Sequence, residues 1–127
     1  MKGLGGDKGQ ALVELALVIG ILTLVLLSIV EFGRLGHAYL VVHHASREGA
    51  RVAALGYEDQ VIRQRVQQAA GSLHGGLLDV TIDPAQRSRG DSVSIEVAYP
   101  LQLITPVPSG LLPNPFTVKG KTIMRVE

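Results

Sequence analysis

Apolar side chains crowd one stretch of this chain. Residues 11–30 carry Glu14 as the one charge and Thr23 and Ser28 as the only other polar side chains. Wound as a helix rising about 1.5 Å per residue, the run spans roughly 30 Å, the thickness of a bilayer's hydrocarbon core. Beyond Glu31 the pattern becomes amphipathic. Ala38, Val41, Val42, Ala45, Gly49, Val52 and Ala53 recur near a helical period, while His43, Arg47, Glu48 and Arg51 fall largely on the other side. One long helix over 10–56 follows, membrane-spanning over about 11–30. Gly33 and Gly36 weaken it by about 1 kcal/mol each relative to alanine and predict a bend.

A second helix is expected over 58–73, with Val61, Ile62, Val66, Ala69, Ala70 and Leu73 as its apolar stripe. Gly56 before it and Gly75-Gly76 after it act as stop signals. After this the period shifts to two. Residues 78–83 and 92–99 alternate as strands, with turn residues in Arg87-Ser88-Arg89-Gly90-Asp91 between them, and a third strand fits 117–126. Pro106, Pro108, Pro113 and Pro115 exclude regular structure from the connection to it. The pattern predicts an α+β fold: a long N-terminal transmembrane helix continuing into a small domain over 57–127, with a second helix and an antiparallel sheet of about three strands. Residues 1–9 are polar and rich in glycine (Gly3, Gly5, Gly6, Gly9), too short to fold alone.

Charge and composition narrow the function. A net charge of +1 and scattered aromatics (Phe32, Tyr39, Tyr57, Tyr99, Phe116) leave no basic stripe or stacking platform, so no nucleic acid is expected as a partner. The chain has no cysteine, which removes disulfides and thiolate zinc sites. His37 and His44 share a helix face about 10 Å apart, too far for one ion, and no i,i+4 histidine pair exists; His43, His44 and His74 read as solvated, and no metal site is expected. No serine lies in a Gly-x-Ser-x-Gly context and no glycine loop joins a strand to a helix. The expectation is a protein that is not an enzyme and takes no cofactor or small-molecule substrate. Arg89-Gly90-Asp91, a tripeptide some receptors bind, reads here as turn chemistry.

The amino terminus is the most informative region. A secretory signal peptide would have a shorter apolar run and a small-residue cleavage site after it; here Glu31, Phe32, Gly33 and Arg34 follow. Instead Gly9 precedes Gln10-Ala11-Leu12-Val13-Glu14, which puts glutamate fifth after a glycine that closes a polar leader. This pattern resembles the sites that type IV prepilin peptidases read, and the resemblance implies cleavage between Gly9 and Gln10 with the apolar segment left in place. Glycine lets the backbone extend into a protease cleft. Glu14 would cost roughly 2.5 kcal/mol or more at a bilayer centre, but near a new terminus an α-amino group can offset it, its own or a neighbour's, and so set axial register. In the bland alternative Glu14 lies in the headgroup region and favours the helix dipole. Ala16 and Gly20 form a small-x-x-x-small face suited to helix packing.

The blocks Gly9-Gln10-Ala11-Leu12-Val13-Glu14, Val30-Glu31-Phe32-Gly33-Arg34 and Ala45-Ser46-Arg47-Glu48-Gly49-Ala50-Arg51, with the closing Met124-Arg125-Val126-Glu127, resemble the TadE-like family. The resemblance implies a minor pseudopilin of the tight-adherence (Flp, type IVb) pilus with a pilin-like fold. It also implies partners: the membrane, a prepilin peptidase, major and minor pilins and the pilus inner-membrane platform. The expected place is the bacterial cytoplasmic membrane, N-terminus in the cytoplasm and C-terminal domain outside. That orientation rests on the peptidase pattern and the resemblance. The positive residues Lys2 and Lys8 before the span, and Arg34, Arg47 and Arg51 after it, nearly balance once Glu31 and Glu48 are counted. Arg47, Glu48 and Arg51 suggest a docking patch, with Glu48 able to pair with Arg51 at i+3; the alternative is a solvated helix face backing a small Ala45-Gly49 groove. The first rival to a processed pseudopilin is an unprocessed single-pass membrane protein with an extracytoplasmic interaction domain, and the second is a membrane-anchored enzyme or metal protein, which His43 or His44 would serve.

Overall fold

The computed structural model describes residues 4–106 and 111–127. Helix α1 runs from Leu4 to Ala54, and α2 from Asp59 to Ala69. Strands β1 (Asp79–Asp83), β2 (Ser92–Leu101) and β3 (Phe116–Arg125) form one antiparallel sheet in the order β1-β2-β3. The α+β architecture matches the expectation.

Several boundaries differ from those read in the sequence. α1 starts at Leu4 and not at Gln10, so the described part of the leader is helical. Asp7 in its first turn favours the dipole, and a helix nucleated in the apolar run extends backward one residue at a time without a new nucleus. No break in helical structure occurs at Gly33 or Gly36. Glycine there permits a bend without forcing one. α2 stops at Ala69, short of Leu73, and the chain turns through Ala70 and Gly71. Ile62 and Val66 are its buried residues, whereas Val61 is exposed.

The core is a single layer of contact between α1 and the sheet, with α2 closing one side. β2 alternates strictly, burying Val93, Ile95, Val97, Tyr99 and Leu101 toward the helices. α1 answers with Ala38, Val42, Ala45, Ala50 and Ala53, and α2 with Ile62, Val66 and Ala70. A fully buried valine or isoleucine contributes about 1.5–3 kcal/mol, so the branched residues of β2 and α2 supply most of the hydrophobic stabilisation. The small residues of α1 set how closely the layers approach. A Cβ on Gly49 would meet Val66 Cγ2 at 2.5 Å and Ile95 Cγ2 at 3.2 Å. One on Gly120, in register with Val97 of β2, would meet the Val42 carbonyl at 3.0 Å. Both positions are glycine because backbone and side chain meet there at contact distance. The polar intrusion at Ser46 is satisfied: the buried hydroxyl donates to the His43 carbonyl (2.9 Å) and accepts from the Thr122 hydroxyl (2.8 Å).

β2 runs on to Leu101 through Pro100, two residues past the expected end. β1 pairs only as far as Ala98, so beyond that point β2 has a free edge and tolerates proline.

Candidate functional site

The long helix divides at Glu31. Every residue of 11–30 is exposed except Leu27, which is half-buried. This part of α1 is long and apolar enough to cross a membrane, and none of its most apolar window is covered by the domain. Gly9, Gln10, Glu14, Ala16 and Gly20 all lie on this uncovered part, exposed, with open space where a Cβ on Gly9 or Gly20 would stand. As helical neighbours at i,i+4, Gln10 and Glu14 share one face, and so do Ala16 and Gly20.

At the exit from this segment Glu31 makes contacts that the sequence reading did not anticipate. Its Oε2 accepts the backbone N–H of Ile104 (2.8 Å) and of Thr105 (3.2 Å). Its Oε1 takes Nη1 of Arg34 at 3.1 Å, and the same nitrogen donates to the Gln102 carbonyl at 3.1 Å. Asn114 Oδ1 accepts the Leu103 N–H at 3.2 Å. The N–H groups of residues 103–105 and the Gln102 carbonyl are therefore met by side chains, and the chain leaving β2 is tied to the first residue past the apolar run. The arginine at i+3 signalled only the Arg34 pair, not the bonds to Ile104 and Thr105. Glu31 is 9 % exposed.

Beside this clasp are two open apolar grooves. One, of about 470 Å³, lies between Ser28, Phe32 and Leu35 of α1 and Leu103, Leu112 and Phe116. The other, of about 480 Å³, is bounded by Phe32, Gly36, Tyr39, Phe116 and Lys119. Phe32 stands between them, 74 % exposed.

The Arg47, Glu48 and Arg51 trio lies on the part of α1 built into the head. Arg47 and Arg51 are exposed. Glu48 pairs with Arg65 of α2 at 3.1 Å, not with Arg51. The Arg65 hydrogen bond, with the Arg51 charge nearby, holds its carboxyl below the ordinary glutamate value. Of the trio, then, Glu48 is engaged within the domain and the two arginines remain at the surface. Arg87, expected only as a turn residue, has a largely buried guanidinium. It bonds to Asp59 Oδ1 (2.7 Å) and to the carbonyls of Pro84 and Tyr57, locking the β1–β2 connection to the start of α2. Ser88 to Asp91 close a turn with Gly90 at φ +93°, and Gly90 and Asp91 bond to Val126 at the end of β3. His43 packs its ring against Tyr39, centroids 4.2 Å apart.

The geometry defines a class: a single uncovered apolar helix whose distal half is built into the core of a small α+β head. Within that class, residues 9–51 match the family model for TadE-like protein, a match that spans the apolar segment and most of the helix of the head. The matched segment opens at Gly9 and closes at Arg51. No curated protein and no solved structure gives a significant match.

Proposed function

We propose that this protein is a minor pseudopilin, a non-enzymatic assembly component of the tight-adherence pilus, cut after Gly9 by a prepilin peptidase and anchored by α1. The head lies outside the cytoplasmic membrane and the leader inside. Its partners are the major and minor pilins and the inner-membrane platform. The observation that carries the reading is Gly9-Gln10 followed by Glu14 at the mouth of an uncovered apolar helix, inside a segment that matches the TadE-like model. In the mature chain the new amine on Gln10 lies one helical turn from Glu14, close enough to offset its charge as the helix enters a filament.

The helical leader bears on processing. A protease needs extended backbone, and α1 is helical through Gly9 and Gln10. Three of the six residues 4–9 are glycine, each disfavouring helix by about 1 kcal/mol, so this end is the easiest part of α1 to unwind. The same unbroken helix also favours a second reading, an unprocessed single-pass protein whose head binds a partner. Mass and N-terminal sequence of the protein taken from membranes, with and without the host's prepilin peptidase, separate the two. A terminus at Gln10, free or cyclised to pyroglutamate, that depends on the peptidase is expected. A terminus at Met1 in both strains would overturn the pseudopilin reading and leave the unprocessed one.

A further inference from the structure

The clasp at Glu31 bears on the described residues between β2 and β3. We propose that residues 103–105 and 111–112, together with Phe32, form a foot that seats the head on the bilayer, with Ile104, Leu111 and Phe32 entering the lipid interface. The inference rests on reading α1 as a transmembrane helix.

Three observations carry it. The first is depth. Glu31 follows directly on the apolar run, and its carboxylate holds the N–H groups of Ile104 and Thr105. Leu103 and Leu112 share a groove with Ser28, which lies within the run, about 4.5 Å below Glu31 along the helix axis. Residues 103–105 and Leu112 thus hang level with the last turn of the span. The second is composition. Ile104 is 61 % and Leu111 73 % exposed, and the one acid beside them, Glu31, is bonded. Exposed branched side chains at that height meet lipid headgroups and upper acyl chains. The third is the backbone. Near hydrocarbon, irregular chain is tolerated only where its polar groups are met within the protein. Here the N–H groups of Leu103, Ile104 and Thr105 and the carbonyl of Gln102 are all taken by side chains.

A helix of another subunit is the competing occupant. Seated in the groove it would cover Leu103 and Leu112, but Ile104 and Leu111 stand outside the groove's lining and would stay in water. A lipid surface covers both.

The chain has no cysteine, so single-cysteine variants can carry a nitroxide label. The full-length protein is reconstituted in phosphatidylcholine–phosphatidylglycerol vesicles. Collision with lipid-dissolved oxygen is then compared with collision with a water-soluble nickel chelate. Labels at Ile104→Cys and Leu111→Cys should favour oxygen several-fold more than one at Lys121→Cys on the outer face of the sheet. Ile21→Cys marks the span. Adding Glu31→Ala should move the Ile104 label toward water and leave the Ile21 label in lipid. Labels at 104 and 111 as wet as the one at 121, with the Ile21 label in lipid, would overturn the foot alone. A wet Ile21 label would overturn the span and the foot together. Labels shielded from both reagents, and only at high protein-to-lipid ratio, would put another protein there and equally overturn the proposal.

Discussion

Gly49 offers the sharpest test of how the head is packed. In an exposed helix interior, alanine in place of glycine stabilises by about 1 kcal/mol. At Gly49 the added methyl would sit 2.5 Å from Val66 Cγ2 and 3.2 Å from Ile95 Cγ2. Val66 is fully buried and β-branched, so it has little freedom to swing aside. Overpacking of this kind costs about 1–3 kcal/mol. The two terms oppose, and Gly49→Ala should destabilise by about 1 kcal/mol, roughly a fivefold loss in the folding equilibrium. Gly36, with nothing within 4 Å of a built Cβ, is the matched control and should show the opposite sign. In a Val66→Ala background the 2.5 Å clash is gone and only the 3.2 Å approach to Ile95 remains, so Gly49→Ala should cost markedly less than in the wild type, a coupling that a double-mutant cycle isolates. The assay is urea unfolding of the full chain in detergent micelles, followed by far-ultraviolet circular dichroism. If Gly49→Ala stabilised the wild-type head as Gly36→Ala does, the close contact of α1 with α2 and β2 would be refuted.

Two further outcomes follow from named groups. Glu14→Leu should leave membrane insertion intact and abolish pilus assembly; normal piliation in such a strain would remove the register role from Glu14. Glu48 has its pKa lowered below 4.5 in the folded state by the Arg65 hydrogen bond and the Arg51 charge, so its stabilisation is complete above the ordinary glutamate range and fades as pH falls through the folded value. Glu48→Gln should therefore cost something under about 1 kcal/mol at neutral pH, the scale of a partly exposed ion pair, and nothing in strong acid. An unfolding difference between the two proteins that persists unchanged in acid would show that the pair contributes nothing through charge.

The parts of this fold readable from the sequence were those governed by local period. The uncovered run, the amphipathic continuation over Ala38 to Ala53 and the alternation in β2 each declare one face. Where the structure departed, distance along the chain is the reason. Glu31 finds its partners at Ile104 and Thr105, more than seventy positions away, and nothing near Glu31 in sequence signals them. Glu48 had an arginine at i+3, yet the one it bonds comes from α2. Arg87 looked like a turn residue because its neighbours are turn residues; only the packing of α2 against the β1–β2 connection makes it a tie. Helix ends erred for a different reason. Glycines weaken a helix without fixing where it stops, so α1 overran its expected start and α2 fell short of its expected end. The spacing from Gly9 to Glu14 is linear, so it is legible in the sequence alone, and the structure adds that it lies on the exposed part of α1.

The unbroken course of α1 fixes an angle as well as a connection. Gly20 and Ala38 are eighteen residues apart, which at about 3.6 residues per turn is five whole turns. The face bearing Ala16 and Gly20 therefore points the same way as the face that carries the sheet. A neighbouring helix seated on the small residues would lie underneath the head and not beside it. Two parallel copies joined there at equal height would bring both heads into the same space. Contact through that face calls for one copy to be shifted along the axis relative to the other, so the heads would bar two parallel copies from meeting at equal height on this side of the apolar helix.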